Sequence, residues 1–257
     1  MAEQLLWEMS TIGDTSKVRE LLALEDIDVN WADEERNRTP LYRACGHGRL
    51  EVVKLLLADP RVDVNKGNLN NASPFYIACQ EGHFEIFKVL LEDSRVDLNQ
   101  STRENTTPFY VCCKKGHLEF VKMLLEEKKV DIQKGNDNGA TPCYIACQYG
   151  HVKILKRILL SEKKVNLKQK AKITGKTPLQ QAIYMKDFRA LNDQEDVKQR
   201  QANCSKIVQL LQKHEIDPSY LKNRMAAKIF TCIVSICDDY YTLEPSLEPL
   251  KKKRKRD

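Results

Sequence analysis

The fold is decided by a stretch that runs from residue 39 to residue 65 and reads TPLYRACGHGRLEVVKLLLADPRVDVN. Three similar copies follow: residues 73–99 read SPFYIACQEGHFEIFKVLLEDSRVDLN, residues 107–133 read TPFYVCCKKGHLEFVKMLLEEKKVDIQ, and residues 141–167 read TPCYIACQYGHVKILKRILLSEKKVNL. The four starts are 34 residues apart, and a fifth, Thr177-Pro178, comes after 36. Such a period is typical of stacked supersecondary units that bury their apolar faces against one another.

Each unit predicts two short helices followed by an extended hairpin. Thr or Ser before Pro is typical of a helix start, because the hydroxyl accepts a hydrogen bond from a free backbone N–H and proline at the first helical position loses none. Gly48 and its equivalents end the first helix, since glycine adopts the left-handed cap conformation cheaply. Leu50, Val53 and Leu57 then share one face of a second helix. The alternating residues 62–65 predict the hairpin that leads to the next unit.

The unit resembles the ankyrin repeat in its order of elements and in its Thr-Pro, Gly-His and Val-Asp-Val-Asn motifs. The resemblance covers most of residues 3–217 and implies an all-α repeat solenoid: an ankyrin-type array of about six helix-turn-helix-hairpin units with atypical end caps. The step of 34 departs from the usual length of about 33, with the extra residue after the second helix. A tyrosine hydroxyl can serve where the family usually has a histidine. These tyrosines are Tyr42, Tyr76, Tyr110 and Tyr144.

The repeat also predicts how the chain is divided. We expect an N-terminal capping repeat over 1–38, four repeats over 39–176, a degenerate fifth repeat over 177–218 with an insert near 185–201, a C-terminal capping helix over 219–241 and a flexible basic tail over 242–257. The insert is charged and contains neither Gly nor Pro, which predicts a helix extension or an exposed loop. The capping helix rests on apolar residues at every fourth position from Leu221 to Cys237.

Charge is unevenly distributed along the chain. The formal net charge is +6, and the last seven residues contribute six positive charges and one negative, which leaves +1 for residues 1–250. Residues 1–36 contain ten acidic and three basic residues, whereas residues 151–176 contain nine basic and one acidic. We interpret the stretch Lys163–Lys176 as a solvated charged finger, with an acidic protein segment or nucleic acid as alternative partners. Nucleic-acid readers usually interleave aromatic residues, and none occurs between Lys153 and Lys176.

The nine cysteines do not predict disulfides. Four of them occupy the same repeat position, so we expect them to be buried as small apolar residues. These are Cys45, Cys79, Cys113 and Cys147. An odd count, with no basic and then apolar N-terminal signal, is typical of a reducing intracellular compartment. No apolar run approaches the length of a transmembrane helix.

No catalytic constellation is recognisable in the sequence. His83, His117 and His151 recur in the same Gly-His step, which favours a structural role in each turn. Cys113 and His117 are four residues apart, as a nucleophile and base might be on a helix, but other repeats share the spacing and no carboxylate recurs with it. Phosphate-binding loops and Gly-x-Ser-x-Gly or His-Glu-x-x-His motifs are absent. We therefore expect no enzyme activity, no cofactor and no metal site, and an unrecognised enzyme is the least favoured alternative.

Positions that differ between copies are free for recognition. In the ankyrin family, partners most often contact the end of the first helix and the hairpin tips, and the resemblance carries this role to the matching residues here. The helix-end residues are Gly46, His47, Gln80, Glu81, Lys114, Lys115, Gln148 and Tyr149. The tip residues are Arg36, Arg38, Leu69, Asn70, Arg103, Glu104, Asp137 and Asn138. Tyr149 is the strongest single candidate, because exposed aromatic residues are enriched at binding hot spots.

These features predict a non-enzymatic scaffold or adaptor, expected to be monomeric, that binds a protein partner along the concave face of the array. The alternative is a nuclear regulator that contacts nucleic acid or an acidic partner through the basic end and tail. The tail itself is typical of a nuclear-import signal, with attraction to nucleic acid or an acidic membrane as the other interpretation. Its basic residues are Lys251, Lys252, Lys253, Arg254, Lys255 and Arg256. We expect an intracellular protein in the cytoplasm or nucleus, with the tail favouring the nucleus.

Overall fold

A computed structural model describes residues 1–163 and 165–188, together with residues 202, 203, 205 and 206. Within this part of the chain, eleven α-helices and no β-strands form. The helices are α1 (Ala2–Ile12), α2 (Thr15–Leu22), α3 (Pro40–Gly46), α4 (Leu50–Ala58), α5 (Pro74–Glu81), α6 (Phe84–Glu92), α7 (Pro108–Lys115), α8 (Leu118–Glu126), α9 (Pro142–Tyr149), α10 (Val152–Leu160) and α11 (Pro178–Phe188).

The helices pack in two layers. The first helix of each unit packs against the first helix of the next, in the order α1, α3, α5, α7, α9 and α11. The second helices, α2 to α10, pack against their own first helices and form the other layer. This architecture confirms the prediction of an all-α repeat solenoid.

The predicted caps are confirmed at the starts of α3, α5, α7 and α9, and glycine ends α5, α7 and α9 as predicted. α3 differs, since it is capped by His47, one residue before Gly48. Thr39 Oγ1 accepts a hydrogen bond of 3.1 Å from the backbone N–H of Tyr42, and the hydroxyls of Ser73, Thr107 and Thr141 accept the equivalent bonds. At the other end, Gly116 has a φ of 86°, in the left-handed region. A Cβ atom there would lie 2.6 Å from the ring of His151. The backbone conformation and the nearby ring therefore both exclude a side chain at this position.

A column of buried cysteines runs between the first helices. Cys45, Cys79, Cys113 and Cys147 are each 0% or 1% exposed, which confirms the prediction that they belong to the core. Burial raises the pKa of the Cys45 and Cys113 thiols, so both remain protonated and act as small apolar groups.

Each repeat tyrosine ties its helix to the following hairpin, as the sequence suggested. Tyr42 Oη accepts a hydrogen bond of 3.1 Å from Asn68 Nδ2, and Asn136 donates to Tyr110 in the same way. Tyr76 and Tyr144 instead pair with the hydroxyls of Thr106 and Thr174, at 3.1 Å and 2.9 Å. The hairpin therefore offers one of two polar groups to a constant tyrosine.

The hairpins are turns rather than the extended pairs predicted from the alternating residues. In the second one, Asn68 N donates to Ala72 O at 3.0 Å. Adjacent tips are joined by a single backbone–backbone hydrogen bond, such as that from Leu69 N to Arg36 O at 2.9 Å. One bond to each neighbour is too little for a strand ladder, so no regular sheet forms along the described tips.

The asparagine of the Val-Asp-Val-Asn motif bridges successive units. Asn65 Nδ2 donates to Arg95 O at 2.8 Å, and its Oδ1 accepts from Asp97 N at 2.8 Å. Asn30 and Asn99 make the same pair of bonds one repeat before and one repeat after. The asparagine that ends each alternating motif therefore links one repeat to the next.

In the first two of the four regular repeats, the extra residue belongs to a short charged clamp. Arg61 Nη2 lies 2.6 Å from Asp59 Oδ2 and donates to Leu22 O at 2.7 Å, at the end of α2. Hydrogen bonds from Arg61 hold the pKa of Asp59 below its usual value. The arginine thus satisfies a helix-end carbonyl that has no intrahelical partner.

Several predicted segments lie outside the described residues. They are most of the insert 185–201, the second helix of the fifth repeat, the capping helix 219–241 and the tail 242–257. α11 extends to Phe188, so helix continues into the first residues of the predicted insert. The division of the chain into these segments stays a prediction.

Candidate partner-binding surface

The predicted helix-end pairs lie in line because the first helices pack consecutively. We call these pairs, together with the hairpin tips, the recognition surface. His47, Glu81, Lys114 and Lys115 are exposed on it. Gly46, Gln80, Gln148 and Tyr149 are half-buried.

Two of the recurring histidines hold successive units together. His83 Nε2 donates to Gly46 O at 3.1 Å, and His151 Nε2 donates to Lys114 O at 3.0 Å. Arg49 takes this role at the first junction, where its Nε donates to Thr11 O at 3.0 Å. His117 departs from the pattern, since its Nε2 is buried with no hydrogen-bond partner among the described residues.

The hairpin tips present most of the predicted residues to solvent. Leu69 is 48% exposed, a large value for an apolar side chain. The other exposed tip candidates are Arg36, Asn70, Arg103, Glu104, Asp137 and Asn138.

Arg38 differs from the other tip candidates. Its side chain is 17% exposed and lies 2.9 Å from Asp33 Oδ2. Its guanidinium carbon is 5.6 Å from the centroid of the Trp7 ring. Arg38 therefore stabilises the N-terminal repeat, and its side chain is less accessible to a partner than that of the exposed Arg36.

Tyr149 is half-buried, although the sequence suggested an exposed ring. Its ring stacks on His151 with centroids 6.2 Å apart and an interplanar angle of 7°. Only part of the ring is available to a partner, and its position is fixed by the junction to α7.

The fold adds two residues to the surface that the sequence argument missed. Tyr184 is 39% exposed on α11, and Lys176 Nζ lies 4.1 Å from the centroid of its ring. Tyr184 follows Gln148 by 36 residues, the same offset that separates the fourth and fifth Thr-Pro pairs. That offset was available in the sequence and could have identified the residue.

The surface carries charges of both signs, and the exposed pair Lys114 and Lys115 lies in its second half. In the first half, Glu35 is paired with Arg36, whose Nε lies 3.3 Å from Glu35 Oε1. Partial burial and the nearby positive charges of Arg43 and Arg49 lower the pKa of His47, so this residue is mostly neutral at pH 7.

Part of the basic stretch after residue 150 lies on the second helices. On the second helices, exposed Glu–Lys pairs recur, for example Lys122 Nζ and Glu119 Oε1 at 2.7 Å. In α10, Lys153 takes the position of the glutamate, so it and Lys156 add positive charge to the second layer. These two lysines consequently lie on a different layer from the recognition surface.

No group of three or more His, Cys, Asp and Glu side chains in the described part of the chain is arranged to hold a metal ion. No described helix combines the length and apolar character needed to cross a membrane.

Stacked helix pairs, capped first helices and linked hairpin tips define the class of helical repeat solenoids. The family model for ankyrin repeats, in three copies, matches residues 5–68, 59–136 and 128–222. The chain therefore belongs to the ankyrin repeat family, whose arrays are protein-interaction modules. It is also similar to human ankyrin repeat domain-containing protein 7, with 38% identity over 52 residues. That match spans 20% of this chain and 20% of the relative's length.

Proposed function

We propose that this protein is a non-enzymatic intracellular scaffold or adaptor that binds a protein partner along the recognition surface, on the concave face of the array. One observation carries the proposal. The recurring residues of each unit make contacts between units, whereas the helix-end residues vary and line one continuous surface. A surface that packing leaves free can change with the partner without loss of fold.

The test replaces six helix-end residues with alanine: Gln80, Glu81, Lys114, Lys115, Gln148 and Tyr149. The matched control replaces six charged residues of the second helices with alanine: Glu51, Lys54, Glu85, Lys88, Glu119 and Lys122. Exposed ion pairs of the control kind contribute about 0–1 kcal/mol each, so both variants are expected to fold.

Affinity capture from a cell extract provides the measurement. We expect the control to retain the proteins captured by the unchanged chain, and the helix-end variant to lose them. Retention of every captured protein by the helix-end variant would place the partner site elsewhere, on the second layer, the insert or the tail.

A second candidate function rests on the six basic residues of the tail. We propose that Lys251–Arg256 directs import into the nucleus, because six consecutive cations with no apolar residue suit a receptor that reads charge in an extended chain. Contact of the tail with nucleic acid is the competing hypothesis, and it predicts binding that weakens steeply as salt is raised.

A further inference from the structure

We infer that the second half of the recognition surface binds an extended protein segment rich in Asp and Glu. The residues that would contact it are Lys114, Lys115, Tyr149, Lys176 and Tyr184, which we call the basic-aromatic patch. This inference rests on the proposed protein-binding function and specifies the chemistry of the partner.

The patch is assembled from three consecutive first helices. The bond from His151 Nε2 to Lys114 O, 3.0 Å long, holds the end of α9 against the end of α7. Tyr149 stacks on that same histidine, so its ring lies beside the two lysines. α11 packs against α9 and adds Tyr184, with the Lys176 ammonium 4.1 Å from its ring centroid.

The lysines of the patch are not neutralised by the fold. Lys114 and Lys115 are exposed, and neither forms a salt bridge within the described ranges, nor does Lys176. Asp137, exposed at the fourth tip, offsets part of the positive charge, but three lysines still leave the patch positive. Positive charge therefore remains available to a partner.

Helix stability does not account for the lysine pair. Basic residues at a helix C-terminus interact favourably with the helix dipole. However, α5 and α9 are eight residues long, as α7 is, and have no basic residue in the last turn. The repeat therefore does not require the two lysines for the stability of its first helix.

The family favours a protein segment over nucleic acid, because ankyrin arrays are protein-interaction modules. A protein segment can confine its carboxylates to the half that faces the lysines.

The experiment measures fluorescence anisotropy of the full chain with three labelled probes. They are a peptide that alternates Glu with Ser, its Gln-for-Glu analogue and a single-stranded oligothymidylate. The test variant has Lys114→Glu and Lys115→Glu. Its matched control has Lys153→Glu and Lys156→Glu, which makes the same charge change on the second layer.

We expect the unchanged chain to bind the Glu peptide more tightly than the other two probes, and more weakly as salt increases. The test variant should lose about tenfold in affinity, because two attractive charges become repulsive, while the control should stay within about twofold. Circular dichroism would verify that both variants are folded.

Three results would overturn the inference: no binding of the Glu peptide, equal losses in the two variants, or tighter binding of the oligothymidylate. Failure here is distinct from failure of the proposed function. If the six-alanine variant loses its captured partners while the Glu peptide does not bind, the partner site stands and its acidic chemistry is wrong.

Discussion

The buried cysteine column and the helix-end pairs run along the same four helices, one residue apart. Cys79 is followed by Gln80-Glu81, and Cys113 by Lys114-Lys115, yet the cysteine is constant and the pair varies. The cysteines are at most 1% exposed, whereas the pairs lie at the surface. The comparison shows that the direction in which a side chain faces around the helix axis decides its freedom to vary. A residue that faces the neighbouring helix is restricted by packing, whereas one that faces solvent can change.

The largest expected effect on stability concerns the buried cysteines. Cys113→Asp would place an unpaired charge between two first helices, and we expect the free energy of unfolding to fall by about 3–5 kcal/mol. Cys113→Ala should cost about 1 kcal/mol, and Lys114→Asp, at the neighbouring exposed position, less than about 0.5 kcal/mol. Urea unfolding monitored by circular dichroism gives all three values. Equal costs for Asp at 113 and 114 would contradict the buried placement.

The next prediction separates backbone strain from crowding. Gly116→Ala forces alanine to a φ of +86° and a Cβ within 2.6 Å of the His151 ring, so the bond from His151 to Lys114 must break. We expect a loss of about 2–3 kcal/mol. Gly175→Ala has a φ of +64° but no atom within 4 Å of the added Cβ, and should cost about 1 kcal/mol. Thermal melts of both variants compare the two, and equal costs would show that His151 does not crowd the turn.

A smaller effect concerns the polar ladder between repeats. Asn65→Ala removes the bonds to Arg95 O and Asp97 N, and since both groups are near solvent we expect a loss of about 1–2 kcal/mol. The control is Asn138→Ala at an exposed tip, which should change stability by less than about 0.5 kcal/mol. Hydrogen exchange at Asp97 N should rise only in the first variant. A similar rise in both would exclude a specific bridge.

The smallest expected effect on stability belongs to the tail. Alanine at Lys252, Lys253, Arg254 and Lys255 should leave the melting temperature unchanged, because the last seven residues contain no apolar side chain to anchor them. Nuclear enrichment should be lost. The sharper measurement is nuclear accumulation of a large, inert cytoplasmic reporter fused to the tail, since a 29.7 kDa chain can also diffuse through pores. A fusion that stays in the cytoplasm would rule out the import signal.

Much of the architecture was predictable because each repeat contains the residues that begin and end its helices. The caps at Thr39 and Gly116 depend on neighbours within four residues, so the sequence contains all the information they need. The candidate surface was predictable as a set of positions. Its detail was not, since the exposure of Arg38 depends on Asp33 and Trp7, and that of Tyr149 on His151.

The sequence by itself determined the period, the two-layer stack of helices and the burial of one cysteine in each regular repeat. Only the tertiary structure decided which groups meet across the repeats: Asn68 or Thr106 for a tyrosine, and Arg38 beside Trp7. Local signals act over a few residues, whereas the contacts between repeats join groups about 26 to 38 positions apart. A periodic sequence specifies the stack, but the partners of its polar side chains depend on the packing between units.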